Sequence, residues 1–311
     1  MKKIAFFGEP LVEFSQHYHP DKTDNNIFFQ QGFGGDVSNF AICAARQGGN
    51  IVSLSPVGKD HWGEEFISLW EKEGIDTRYI KNTESKGHTG LYFISYNDDG
   101  HHFTYMRKGS AASQTTFSDI PLSILKELDV FHFSAISQAI STSACDTCFS
   151  ILECLKNTDT IVSYDTNLRL SLWPLQRARA IIKETLPFTG FCFSSYDEAS
   201  ELTEKSKTED IINILHSWGA KNVILKLGSK GAIFSSKYVD YHAVGHHVNL
   251  VDATGAGDVF AGAFIVEYLR TKDAVDALNY ANAAAALSVT GYGAIHPIPE
   301  KSKVIEFIKN I

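Results

Sequence analysis

Asp252-Ala253-Thr254-Gly255-Ala256-Gly257-Asp258 runs on into Val259-Phe260-Ala261-Gly262-Ala263-Phe264-Ile265, and this stretch decides how the rest of the chain is read. Glycines at 255 and 257 let a backbone approach a ligand closely, and the small apolar run behind them has the composition of a buried helix. The loop therefore opens a helix. The first turn of a helix has N–H groups without intrahelical partners and carries partial positive charge, so it is a place to hold developing negative charge. Asp258 stands where an acid is favoured at a helix start, and the same charge predicts that it is ionised. A plain turn with a capping acid would look the same locally. The surrounding sequence decides between the two.

Outward from that stretch, strands and helices alternate. Helices of small residues are expected at 257–270 and 273–290, the second carrying Ala281-Asn282-Ala283-Ala284-Ala285-Ala286. Upstream, apolar runs predict strands at 4–8, 27–31, 51–57, 129–135, 160–165, 190–194, 222–227 and 232–235. Helical spacing predicts helices at 36–46, 62–72, 143–156, 174–185, 196–203 and 208–218. Such alternation predicts an α/β fold, a mostly parallel sheet with helices on both faces. Between Thr89 and Lys108 the rhythm breaks into a hairpin, 91–96 and 101–107, around the turn Asn97-Asp98-Asp99-Gly100. With the piece near 27–31 it predicts a small β-lid, from segments at about 10–34 and 86–112, on one domain spanning 1–311.

Composition narrows the function classes. The net charge of −8, with no Lys/Arg block, argues against nucleic acid as a partner. No apolar run reaches transmembrane length, so no membrane partner is expected. Five cysteines without a paired framework suit a reducing cytoplasm, and the Cys145-Asp146-Thr147-Cys148 spacing lacks the second pair that a zinc site needs. His101-His102 and His246-His247 are adjacent residues that point to opposite faces of a strand, a poor arrangement for a metal. Lid strands with open edges favour a homo-oligomer.

Polar or glycine-rich segments follow several expected strands: Gly34-Gly35-x-x-x-Asn39, Asp165-Thr166-Asn167-Leu168-Arg169, Ser194-Ser195-Tyr196-Asp197-Glu198 and Lys226-x-Gly228-x-x-Gly231. In open α/β sheets, ligands bind beyond the carboxyl ends of strands, so these segments and the 252–258 loop predict one composite cleft. There is no G-x-x-x-x-G-K-[ST], and no G-x-G-x-x-G opens a helix after the first strand, which excludes a P-loop and a dinucleotide fold.

Gly34-Gly35-x-x-x-Asn39, Gly58-Lys59-Asp60-His61-Trp62-Gly63 and the 252–258 stretch together resemble the signatures of PfkB-type, ribokinase-like sugar kinases, in order along nearly the whole chain. That resemblance implies a three-layer α/β/α sandwich with a β-lid, ATP as donor, Mg²⁺ and phosphoryl transfer to a sugar hydroxyl. It implies that Asp258 is the base and that the N–H groups of Gly255, Ala256 and Gly257 form an anion hole. Asn167, Ser195, Glu198 and Lys226 would lie near the triphosphate, with Glu198 reaching Mg²⁺ through water. Gly228 and Gly231 would let the backbone pass the nucleotide, and Asn282 would lie near the adenine. Asp252 and Thr254 match positions where many relatives hold a monovalent cation such as K⁺.

Within the family, Thr89-Gly90-Leu91-Tyr92 and Tyr105-Met106-Arg107-Lys108-Gly109-Ser110 look most like 2-keto-3-deoxygluconate kinases. Gly34, Gly35, Asn39, Tyr92, Tyr105, Arg107 and Arg169 would then hold the substrate, the arginines matching its carboxylate in two-pronged geometry. Fructokinase is the alternative, with the same chemistry on a neutral ketohexose. A catalytically silent sugar-binding protein is a third reading, from a different class.

Overall fold

The structure, a computed structural model, describes residues 2–17, 27–80, 87–97 and 100–310. Strict alternation in the first strand sets up the layers. In β1 (Lys3–Phe6) and the residue after it, Ile4 and Phe6 enter one apolar core while Ala5 and Phe7 enter another on the opposite face. In chain order there follow β2 (Leu11–His17), β3 (Phe28–Gly34), α1 (Asp36–Arg46), β4 (Asn50–Ser53), α2 (His61–Lys72), β5 (Gly90–Asn97) and β6 (Gly100–Met106). Then come α3 (Leu122–Leu125), β7 (Val130–Ser134), α4 (Ala135–Ala139), α5 (Thr142–Leu155), β8 (Ile161–Asp165), α6 (Leu175–Thr185), β9 (Phe191–Ser195), α7 (Tyr196–Thr203) and α8 (Thr208–Ser217). The chain ends with β10 (Asn222–Lys226), β11 (Gly231–Ser236), β12 (Asp240–Val244), α9 (Ala256–Thr271), α10 (Ala274–Ser288) and α11 (Lys301–Lys309).

The main sheet runs β12-β11-β10-β9-β8-β7-β1-β4. From β4 through β10 the pairs are parallel, and β11 and β12 add an antiparallel edge. One face packs against α1, α2, α9 and α10, the other against α5, α6, α7 and α8. This is a three-layer α/β/α sandwich. Cys145 and Cys148 are buried free thiols in α5. His132 in β7 lies flat on Phe40, ring centroids 3.5 Å apart, with Nδ1 2.8 Å from Ser163 Oγ. Burial, helped by Lys226, lowers its pKa to about 3, so it is a neutral packing group.

A second sheet, β3-β2-β5-β6, forms the lid. β2 lies parallel to β5, while the β2–β3 and β5–β6 pairs are antiparallel. Phe14 stacks on Phe93 at 5.2 Å and meets Trp62 of α2 edge-on at 5.4 Å, which seats the lid on that helix. Asp60 ties the same helix to the lid's root. Its carboxylate accepts from Gly63 N (2.8 Å), Thr89 N (2.7 Å) and Thr89 Oγ1 (2.7 Å), so the Gly58–Gly63 signature is a structural joint.

Several expectations are corrected. The strand expected at 27–31 runs Phe28–Gly34, straight into the glycine pair, and the one expected at 51–57 stops at Ser53. β2, β12, α4 and α11 were not foreseen. Asp98 and Asp99 of the hairpin turn, with residues 18–26 and 86 of the lid segments, lie outside the described residues. No helix among the described residues is long and apolar enough to cross a membrane.

Candidate active site

Ser134, Asp165, Ser195 and Lys226 end β7, β8, β9 and β10, so the parallel register lines their loops along one edge of the sheet. The start of α9 is brought to that edge by packing against the sheet and α1. Phe264 meets Phe191 and Phe193 edge-on at 5.1 and 5.4 Å, and Cys43 of α1 donates to the Val259 carbonyl at 3.2 Å. Burying one such aromatic contributes about 1.5–3 kcal/mol, enough to hold the helix start in place. Gly35 has φ 97°, and a Cβ there would lie 2.6 Å from the Glu9 carbonyl, so only glycine lets α1 begin this close to β1's exit.

At the opening of α9, Gly255 adopts φ 75°. Ala256 N donates to the Ala253 carbonyl at 3.2 Å and Asp258 N to the Gly255 carbonyl at 3.0 Å. The N–H groups of Gly255 and Gly257 have no such partner among the described residues, so two of the three expected anion-hole donors are open and Ala256's is engaged in the turn. Lys226 Nζ lies 2.9 Å from where a Cβ would stand on Gly257, directly beside that opening. Asp165 holds it there at 2.6 Å. Burial works to lower the Lys226 pKa, but Asp165, Glu198 and Asp258 outweigh it, so the ammonium stays charged.

Asp258 is half-buried, and Asn39 Nδ2 donates to its Oδ2 at 2.9 Å. Its carboxyl is pushed well above the ordinary value of 3.8, by burial first and then by Asp36 and Asp165, against the opposing pull of Asn39 and Lys226. That direction runs against the expectation that the helix start favours ionised Asp258. Desolvation and two neighbouring carboxylates outweigh a dipole effect of about 0.3–1 kcal/mol.

Other expected residues fall as follows. Asn167, at φ 22°, donates its N–H to Asp165 Oδ1 (3.0 Å) and its Nδ2 to Asp36 Oδ2 (3.3 Å). Arg169 pairs with Glu198 at 2.6 Å, so a proposed sugar-acid ligand and a proposed Mg²⁺ contact satisfy each other. Gly228, at φ 60°, faces open space, whereas a Cβ on Gly231 would lie 1.9 Å from the Ala243 carbonyl. β12's approach, then, explains Gly231 without a nucleotide. Ser195 starts α7 without a side-chain capping bond. Asn282 donates from α10 to the Val244 carbonyl at 2.7 Å. Asp252 accepts from Thr254 N (2.9 Å), Thr254 Oγ1 (2.7 Å) and Gly293 N (2.9 Å), which accounts for both residue types as a loop staple without an ion.

Over this floor the lid brings Tyr92, Tyr105 and Arg107 together. The Tyr92 and Tyr105 ring centroids are 5.6 Å apart, and the Arg107 guanidinium lies 5.6 Å from the Tyr105 ring centroid. Tyr92 Oη stands 3.1 Å from where a Cβ would be on Gly34, and it donates to Glu13. Burial, reinforced by Glu13, keeps that phenol protonated. Glu9, Glu13 and Asp36 escaped the sequence reading. The usable signal was an acid soon after a strand for Glu9 and after a glycine pair for Asp36; Glu13, inside β2, carried none.

The arrangement offers a carboxylate base beside two open N–H donors and a fixed ammonium, which suits transfer of an anionic group to a hydroxyl. A family model, the pfkB family carbohydrate kinase, matches residues 1–301. The chain belongs to that family. This kinase is 30% identical to the 2-dehydro-3-deoxygluconokinase of Haemophilus influenzae over 310 residues, covering 95% of this chain and 96% of that one. It is 29% identical to fructokinase-2 of rice, Oryza sativa subsp. japonica, over 321 residues, covering 98% and 93%. A crystal structure described as a ribokinase II from E. coli in complex with ATP and Mg²⁺ superposes with a TM-score of 0.89 at 28% identity, covering all of both chains.

For this kinase, an anionic nucleotide fits the observed donors. Gly255 N and Gly257 N are open among the described residues, Lys226 Nζ stands beside Gly257, and Gly228 faces open space. No group of three or more His, Cys, Asp or Glu among the described residues could hold a metal unaided. A divalent ion would draw its ligands from phosphate oxygens and water.

Proposed function

We propose that this kinase transfers the γ-phosphoryl group of ATP to the terminal hydroxyl of a neutral ketohexose, fructose in the first instance. The observation that carries the transfer is Asp258, held by Asn39 beside the open N–H groups of Gly255 and Gly257. Asp258 accepts the hydroxyl proton as the oxygen attacks. Those N–H groups and Lys226 take up charge on the transferring group. When bound, Mg²⁺ would neutralise the phosphate oxygens, and Glu198 would reach it through water. The raised pKa makes the Asp258 carboxylate a stronger base than that of an ordinary Asp. Retention of both the base and the donors weighs against a silent binding protein. The staple on Asp252 gives no support to K⁺.

The neutral sugar is favoured because both candidate carboxylate clamps are already neutralised, Arg107 by Glu9 and Arg169 by Glu198. Glu13 adds a further acid beside Tyr92. A carboxylate arriving there meets paired cations and excess negative charge. The fructokinase relatives support this choice. A second reading, 2-keto-3-deoxygluconate kinase, is favoured by the Tyr92–Tyr105–Arg107 cluster and by the Haemophilus relative. A coupled ADP-release assay with fructose, 2-keto-3-deoxygluconate, ribose and nucleosides decides between them. Fructose is expected to give a kcat/KM at least about tenfold above the sugar acid; the reverse order would install the second reading.

We further propose a homo-oligomer, because the lid exposes Phe28, Phe29, Phe103 and Met106 beside its edges. Light scattering tests this, and a monomer at micromolar concentration would refute it.

A further inference from the structure

We propose that Glu9 sets the charge selectivity of the sugar site by acting through Arg107. The inference rests on the reading of this site as a sugar-kinase acceptor site and names a determinant of its specificity. Glu9 follows β1, in the main sheet, yet its side chain reaches the lid. It is 1% exposed, and Arg107 Nε donates to its Oε2 at 2.5 Å. Ser110 Oγ donates to its other oxygen. The approach is close enough that a Cβ on Gly90, the first residue of β5, would lie 2.6 Å from Glu9 Oε1.

This placement has two consequences. The first is charge: with Glu9 buried, Arg107 largely so and the two in contact, their net charge toward the sugar is zero. The second is direction. Arg107 is committed by Nε, and its Nη2 is a buried donor with no hydrogen-bond partner. Through Tyr105 and Tyr92 the guanidinium adjoins Gly34, the residue that leads into Gly35 and the helix carrying Asn39. The pair therefore withholds a net positive charge from a carboxylate, with one guanidinium N–H left unpaired among the described residues. Glu9 touches neither substrate nor phosphate in this account and is a positioning residue.

The test is a cycle of Glu9→Gln, Arg107→Gln and the double variant, reading the ratio of kcat/KM for 2-keto-3-deoxygluconate over fructose. Glu9→Gln unmasks the guanidinium charge and is expected to raise the ratio about tenfold. Arg107→Gln leaves Glu9 unpaired and is expected to lower it by a similar factor. These factors correspond to one unit charge acting across a few ångströms in a partly screened site. In the double variant the net charge is again zero, and the ratio is expected to return to within about threefold of the wild type. A merely structural Glu9 would move stability and both substrates together. A ratio unchanged in Glu9→Gln, with the double variant matching Arg107→Gln, would overturn the proposal. Should Glu9→Gln alone not fold, Arg107→Gln against the double variant carries the same comparison: recovery supports the role and no recovery refutes it. The wild type's own preference tests the proposed function, whereas the direction of these shifts alone tests Glu9.

Discussion

Asp258→Asn is expected to lower kcat by roughly 10²–10⁴, the usual contribution of a positioned base, with KM for sugar changed far less. The same variant is expected to be more stable than the wild type at pH 8. The wild-type Asp258 carboxyl has a raised pKa when folded, so between the ordinary value of 3.8 and that raised value the folded state binds a proton that the unfolded state has released. Stability therefore falls as pH rises through that window, and above it the cost of an ionised Asp258 is fully present. An amide removes the cost and keeps a group for Asn39 to bond. Thermal unfolding at pH 5 and pH 8 checks this: the stabilisation of the variant over wild type should grow with pH. Full activity in Asp258→Asn would remove the base from the mechanism, and a pH-independent stability difference would contradict the crowding of carboxylates around it.

Lys226→Met is expected to damage both stability and turnover. It leaves Asp165, 3% exposed, without its cation, and breaking such a buried pair from one side costs about 3–5 kcal/mol. Urea unfolding measures that loss. It also removes the ammonium beside Gly257, with an expected fall in kcat of roughly 10²-fold, comparable to losing one donor at an anion hole. The two effects separate in Lys226→Met/Asp165→Asn. There the buried charge is gone, Asn can still accept from Asn167 N, and most of the stability is expected to return while kcat stays low. If activity returned along with stability, Lys226 would be a packing cation only.

The sequence made the ends of strands and the start of α9 legible for physical reasons. Glycines at 255 and 257 and the small residues behind them have few alternative uses, and the apolar runs of β7 to β10 are long enough to declare a parallel core. β12 gave no such signal: Asp240, Tyr241 and His242 are exposed at the sheet's edge and only Ala243 is buried, so no alternation betrays the strand. α11 buries only Val304 and reads as polar tail. The candidate site was legible as a set of residues and much less so as a set of partnerships. Arg107 and Glu9 are 98 positions apart, Arg169 and Glu198 are 29 apart, and nothing local in the sequence says that each arginine is already matched by a carboxylate. Those pairings are what shifted the preferred sugar from an acid to a neutral ketose. Likewise, the upward push on the Asp258 pKa was not legible, because the nearness of Asp36 and Asp165 arises only from folding.

The central claim is phosphoryl transfer to a terminal sugar hydroxyl with Asp258 as base, and ³¹P NMR of the reaction with fructose, ATP and Mg²⁺ tests it most directly. The account predicts stoichiometric ADP and a sugar phosphate whose phosphorus couples to the two protons of a CH₂ group, formed by the wild type and lost in Asp258→Asn. Release of inorganic phosphate without any sugar phosphate, or the same ester formed at an undiminished rate by Asp258→Asn, would contradict it.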